Sequence, residues 1–400
     1  MKRLFTGALA LLMVLTLFAG CGKEEAATET VTAETAEPAL EAIIADYLGK
    51  LRSGAYDSER LFDYEDFSAY FTLGAYKGLS YPEDDYLRTE ATDQEVESYL
   101  VVAVMNGVVT DEQYTLLTEG EVQRYDVAHL VYEGSFDGMP QDSATTGPEG
   151  VDLIIGSGSY ITGFEEGLIG SAIGGTVTLD LALSPYYGNE DLAGKKIRFN
   201  VTVEQVRRPA LPEITAETIN QIYGTDFPDM ETVRSALKEE LNADRAAQAQ
   251  SSLDSYLQAK ILAGSKLISY PEKEMAHYRA YFETYIRQYA DAQQQSLEDY
   301  LAGQGFTPEE FEEKKEEYAR SSCEMDLMIF SIVRAEKIEA TDEQISALME
   351  GICANVQGDA SPRETIDRYM ENYGPFYFEN RIKSAAAMEL VRKSAVRENA

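Results

Sequence analysis

Histidine and cysteine are nearly absent from this chain: 400 residues hold two histidines, His129 and His277, and three cysteines. A histidine-based catalytic triad or a multi-histidine metal site has almost no material to draw on. Cys323 and Cys353 stand 30 residues apart without a C-x-x-C, which gives neither a disulfide framework nor a zinc site. Both read as small apolar groups on helices, with a single bridge between them as the open alternative. Positive charge is scarce too, since 34 Lys and Arg against 70 Asp and Glu leave a net charge of −36. Phosphate backbones are held by clustered Lys and Arg, so nucleic acid is excluded as a partner, and anionic lipid headgroups would repel this body. No G-x-x-x-x-G-K-[ST] and no G-x-S-x-G occurs, which removes nucleotide-binding and hydrolase readings. Beyond the first twenty residues no apolar run reaches the length that a ~30 Å hydrocarbon core demands.

What is present begins with leader grammar: Lys2 and Arg3, then the apolar run Leu4 to Ala19. The run ends Leu17-Phe18-Ala19-Gly20-Cys21, which resembles the lipobox read by lipoprotein signal peptidase. The resemblance implies removal of residues 1–20 and a diacylglycerol on Cys21, hence a protein held by lipid on the extracytoplasmic face of a bacterial cell membrane. Residues 21–40, rich in Glu, Ala and Thr, bury too little apolar surface to offset their ordering entropy and are expected as a flexible acidic spacer. The remainder is long enough for two or three domains with real cores.

The hydrophobic period changes along that remainder. From Glu121 to Val206 short alternations broken by Gly, Pro and Asp predict strands, as in Tyr125-Val127-His129-Val131, Val177-Leu179-Leu181 and Ile197-Phe199-Val201-Val203. From Ala210 onward helix signals repeat. Thr307-Pro308-Glu309-Glu310 and Ser361-Pro362-Arg363-Glu364 each combine an N-cap hydroxyl, proline at the first helical position and glutamate at the third. Upstream, Ala42 to Arg52 reads as an amphipathic helix, and Thr92-Asp93-Gln94-Glu95 as the cap of one running through Met105.

The segment Gly156-Ser157-Gly158-Ser159-Tyr160-Ile161-Thr162-Gly163-Phe164-Glu165-Glu166-Gly167-Leu168 resembles the centre of FKBP-type prolyl isomerases. It lies between Val127-Ala128-His129-Leu130-Val131-Tyr132-Glu133-Gly134, similar to the family's early strand, and Phe199-Asn200-Val201-Thr202-Val203, similar to its last. Leu211-Pro212-Glu213-Ile214 before a long helical region, and Leu73-Gly74-Ala75-Tyr76-Lys77-Gly78-Leu79 upstream, resemble trigger-factor-like proteins. The resemblance implies an α+β multidomain fold: an FKBP-like antiparallel β-sheet wrapped on a short helix, then an extended all-α chaperone domain with arms. The expected divisions are a helical arm segment at 41–118, an isomerase domain at 119–208 and a helical chaperone domain at 209–400. The family's basic ribosome-docking signature is missing, so no ribosome contact is expected.

Carried over position by position, the family's pocket implies Tyr132, Asp142, Val151, Tyr160, Ile161, Phe164, Tyr187 and Phe199. Phe164 would be the floor; the Ile161 N–H and the Tyr187 hydroxyl would be donors to substrate carbonyls, with Tyr186 as the competing phenol. Gln141 stands where the family usually has an aromatic residue before the aspartate. Such a site twists an X-Pro amide without nucleophile, metal or cofactor. In the helical region, Tyr278, Phe282 and Tyr285, and Met325 and Met328, fall in stripes that read as core or as client-binding surface. Two functions follow. One is a prolyl isomerase with a chaperone body acting on unfolded exported polypeptides that contain X-Pro; the other is a holdase whose FKBP-like domain is only a scaffold. A surface adhesin or solute-binding lipoprotein is a third reading.

Overall fold

The computed structural model describes residues 39–188, 192–355 and 360–398. The leader, the expected lipid attachment at Cys21 and the spacer to Pro38 lie outside the described residues. The described residues divide into two compact units: one runs Pro82–Ser255, and the other joins residues 39–81 with residues 256–398.

This division departs from the boundaries expected above, because 41–118 is shared between the units and 208/209 falls inside the first. Packing is the reason. The helix Leu40–Arg52 buries Ile43, Ile44, Tyr47 and Leu51 in one core with Ile345, Met349, Ile366 and Phe378. The helix Asp93–Gly107 instead buries Val96, Leu100 and Val104 with Ile219, Val233 and Leu237. Both helices have one apolar stripe, and the stripe's partner decides the unit to which the segment belongs.

In the first unit the strand Lys196–Pro209 is the hub of a six-stranded antiparallel sheet. It pairs with Tyr114–Leu117, Val127–Phe136 and Thr176–Ala182, while Val127–Phe136 also pairs with Met139–Thr145 and Val151–Ile154. Ile197, Phe199, Val201 and Val203 alternate into the core, as a period of two requires. The short helix Phe164–Leu168 packs on that core through Phe164 and Leu168, both at 0% exposure. Asp126 closes one end of the sheet: its buried carboxylate accepts both Arg208 donors, at 2.7 and 2.8 Å, and the Gln123 N–H at 2.7 Å. Sheet pairing begins at Tyr114, earlier than the alternation from Glu121 suggests.

The second unit is helical. Glu272–Ala292 packs along Pro308–Glu336, with Leu297–Gly303 between them in the chain, and Asp342–Asn355, Pro362–Tyr373 and Tyr377–Ser394 follow. Thr92, Thr307 and Ser361 each form the capping box their spacing predicts. Two short pairings complete this unit, Phe71–Thr72 with Lys266–Leu267 and Ser80–Tyr81 with Val396–Arg397. Cys323 and Cys353 are free thiols, so the alternative of a bridge is not realised. Burial pushes the Cys323 thiol up to about 12, which leaves it an inert packing group.

Candidate active site

Four aromatic rings meet where the sheet and the short helix face each other. Gly163, in the left-handed region at φ 89°, turns the chain so that Phe164 enters the core as the first residue of its helix. Around Phe164 stand Tyr160 at 4.7 Å between centroids, Phe199 at 5.2 Å and Tyr132 at 5.5 Å. Phe199 and Tyr132 present edges to it, at 89° and 72°, the arrangement that ring quadrupoles favour. The Tyr132 and Tyr160 hydroxyls lie 3.2 Å apart. Burial, and then the Tyr160 hydroxyl, hold the Tyr132 phenol well above its ordinary value, so it stays neutral at physiological pH.

Val151, Ile161 and Tyr187 are half-buried and pack against the same core. Asp142 lies on the strand Met139–Thr145, but its side chain is outside the described residues. Gln141 adds no ring: its amide turns toward the Met139 carbonyl at 3.5 Å, and its own carbonyl accepts the Thr145 hydroxyl at 2.8 Å. Gly134 lets this strand close over the box, since a Cβ there would sit 2.7 Å from the Ala144 Cβ and 2.9 Å from Phe199.

The two phenols of the 185–188 loop have different surroundings. Tyr186 is buried, and its hydroxyl donates to the Pro82 carbonyl at 2.6 Å. Among the described residues neither the Tyr187 hydroxyl nor the Ile161 N–H has a protein acceptor. Reasoning from sequence missed Glu165. Its carboxylate, 2% exposed, accepts the N–H groups of Gly156, Gly158 and Tyr160 at 2.6, 3.1 and 3.1 Å and so shapes the loop that carries Tyr160. An acid just after the floor residue, in the first turn of a short helix beside a glycine-rich loop, was the available signal.

The helical unit carries a groove of about 450 Å³ lined by Phe282, Ile286, Tyr300, Phe306, Phe311 and Tyr318 among others. Phe306 is 44% exposed there. Of the residues expected to meet clients, only Phe282 lines this groove. Met328 is fully buried and therefore core; Tyr278 donates its hydroxyl to Asp326, and Tyr285 lies 3.0 Å from the Tyr289 hydroxyl. Met325 is half-buried on Pro308–Glu336. Among the described residues no group of three or more His, Cys, Asp or Glu is placed to hold a metal, and no helix is long and apolar enough to cross a membrane.

Residues 118–204 match the family described as FKBP-type peptidyl-prolyl cis-trans isomerase, and residues 229–393 the family described as bacterial trigger factor protein C-terminus. The trigger factor of Pelotomaculum thermopropionicum is 29% identical over 333 residues, 82% of this chain and 72% of that protein. The trigger factors of Macrococcus caseolyticus and Clostridium botulinum are 29% and 30% identical over 281 residues each, 69% and 68% of this chain. Of those two relatives' own length the chain spans 62% and 61%, less than two thirds. A solved structure of the trigger factor chaperone matches with a TM-score of 0.32 at 17% identity, over 81% of this chain and 73% of that one.

Proposed function

This chain is trigger-factor-like, with an FKBP-type isomerase region followed by a trigger factor C-terminal region, and on that footing we propose that it is a folding factor that catalyses X-Pro isomerisation and shields unfolded chains. The observation that carries the catalytic half is the box of Tyr132, Tyr160 and Phe199 around Phe164. Rotation about an X-Pro bond crosses a barrier of ~18–20 kcal/mol because amide resonance is lost in the twisted state, and the uncatalysed exchange takes tens of seconds or longer. The twisted amide is less polar than the planar one, so an apolar aromatic box favours it. The Ile161 N–H and the Tyr187 hydroxyl, without acceptors among the described residues, are available to hold a flanking carbonyl. No bond of the substrate is made or broken, and no group on the protein changes its proton.

The chaperone half rests on the apolar groove beside Phe306, which offers a surface for short apolar stretches of an unfolded chain. The Gln141 strand, which supplies no ring, favours a second reading in which this groove does all the work and the box is a scaffold. A protease-coupled assay on an Ala-Phe-Pro-Phe peptide separates the two. Acceleration by the full chain, lost on Phe164→Ala and reduced on Tyr187→Phe, establishes the isomerase. Absence of acceleration beside suppressed aggregation of a denatured client leaves the holdase.

The place of action is part of the proposal. The lipobox-like run ending at Cys21 supports a lipid-anchored protein on the outer side of the membrane, where exported chains arrive unfolded. Cys21→Ser should move the protein from the membrane to the soluble fraction without changing its activity in solution. A variant that stays with the membrane would place the anchor elsewhere.

A further inference from the structure

The loop that bears Tyr187 is held by residues from outside the isomerase-type region. The Ser184 hydroxyl donates to the Asp84 carboxylate at 2.9 Å and accepts the Tyr186 N–H at 3.1 Å, while the Tyr186 hydroxyl donates to the Pro82 carbonyl at 2.6 Å. Tyr186 is 6% exposed, and a phenol that buried needs an acceptor, which the Pro82 carbonyl of the upstream chain supplies. Within the loop, the Ser184 carbonyl accepts the N–H groups of Tyr187 and Gly194 at 3.0 and 3.1 Å, so Ser184 fixes both the Tyr187 backbone and the route back to the sheet.

The upstream segment is itself held by side-chain hydrogen bonds. Asp84 caps the turn Asp85–Leu87 by accepting the Tyr86 N–H at 3.0 Å with the same carboxylate that receives Ser184. Beyond the turn, Arg88 grips both oxygens of Glu95 at 2.9 and 3.0 Å, and Glu95 is the glutamate of the capping box on Asp93–Gly107. The segment is thus tied to a helix at one end and to the loop at the other. The Tyr86 phenol is half-buried and lies close enough to Tyr187 for burial first, and then that neighbour, to raise its pKa.

We propose that Pro82–Leu87 is a strap of the isomerase site, in which Asp84 and Tyr186 are positioning residues that occupy one phenol of the loop and leave Tyr187 to meet the substrate. The inference rests on the isomerase reading and adds a component to it: the catalytic loop takes its shape from chain that precedes the sheet. Whatever displaces Pro82–Leu87 loosens the loop that carries Tyr187, and the site loses its hold on the substrate carbonyl before it loses its box.

The test uses the full chain and three variants. Tyr186→Phe keeps the ring and deletes the donor; Asp84→Ala deletes the acceptor; Asp84→Asn keeps an acceptor oxygen for Ser184. Amide hydrogen exchange across 184–188 should rise about tenfold in Tyr186→Phe and Asp84→Ala, the factor expected on loss of one ordinary hydrogen bond. In the peptide assay those two variants should raise KM severalfold with kcat nearly unchanged, and Asp84→Asn should restore both readouts toward wild type. Unchanged exchange in Tyr186→Phe and Asp84→Ala overturns the strap. Faster exchange with unchanged KM overturns the positioning role, as does a loss of activity that only follows a lowered melting temperature. A wild-type chain without isomerase activity fails the isomerase reading instead; exchange alone then decides whether the strap holds the loop.

Discussion

The carboxylate of Glu165 accepts the backbone N–H of Gly156 at 2.6 Å from a nearly inaccessible position. With Gly158 and Tyr160 as further donors, one side chain replaces the ladder partner that residues 156–160 lack. Hydrogen bonds to a charged acceptor contribute roughly 1.5–3 kcal/mol each, and a buried N–H left without one costs a similar amount. Glu165→Ala should therefore destabilise the first unit by about 3 kcal/mol or more and depress peptide isomerisation, whereas Glu165→Gln, which keeps one acceptor oxygen, should cost clearly less. Urea unfolding followed by circular dichroism checks the order. Equal losses in the two variants would remove the loop-holding role.

A second expectation concerns pH and the helices Glu272–Ala292 and Pro308–Glu336. Burial pushes the Asp326 carboxyl up to about 6 from 3.8, with the Tyr278 hydroxyl holding it partly down. An acid whose pKa is raised on folding keeps a proton that the unfolded chain has released. Its contribution thus improves as pH falls from about 6 toward about 4, and the full penalty stands above 6. Asp326→Asn keeps the acceptor for Tyr278 and removes the charge. The variant should be more stable than wild type at pH 7.5 by about 2 kcal/mol, with the gap closing by pH 4. Unfolding midpoints at both pH values decide; a gap independent of pH would show that the carboxyl is not neutralised on folding.

Phe306 supplies the third. It follows Gly305 in the turn before Thr307, is 44% exposed and borders the groove with Phe282 and Phe311. Phe306→Ser should change stability by less than about 1 kcal/mol, because an exposed ring has little burial to lose. Suppression of aggregation of a denatured client should nevertheless fall severalfold, as read by light scattering. Full suppression by the variant would move client binding away from this groove.

How much of this was legible in the sequence depends on how far apart the deciding atoms lie. Tyr132, Tyr160, Phe164 and Phe199 could be named together because the resemblance to the FKBP family implies them as one pocket, and the rings do meet. That Tyr186 is the phenol tied down could not be read, since its hydroxyl donates to the Pro82 carbonyl, 104 positions away. Periodicity placed Phe282 and Met328 on apolar stripes but said nothing of how deep each stripe is covered; Met328 proved core and Phe282 a groove wall. Phe306 escaped because it sits in a turn, outside any periodic segment. The apolar face of Leu40–Arg52 was plain, yet its partners, Ile345 through Phe378, lie at the far end of the sequence.

That last relationship sets a timetable. The first unit lies wholly within Pro82–Ser255, and it can close once the chain has been made to that point. The second must wait for Ile366 and Phe378 before Ile43, Ile44 and Leu51 are covered, and for Val396 before Ser80 is paired. Through that interval the growing protein exposes an uncovered apolar helix of its own. It passes through the same condition it is proposed to relieve in others.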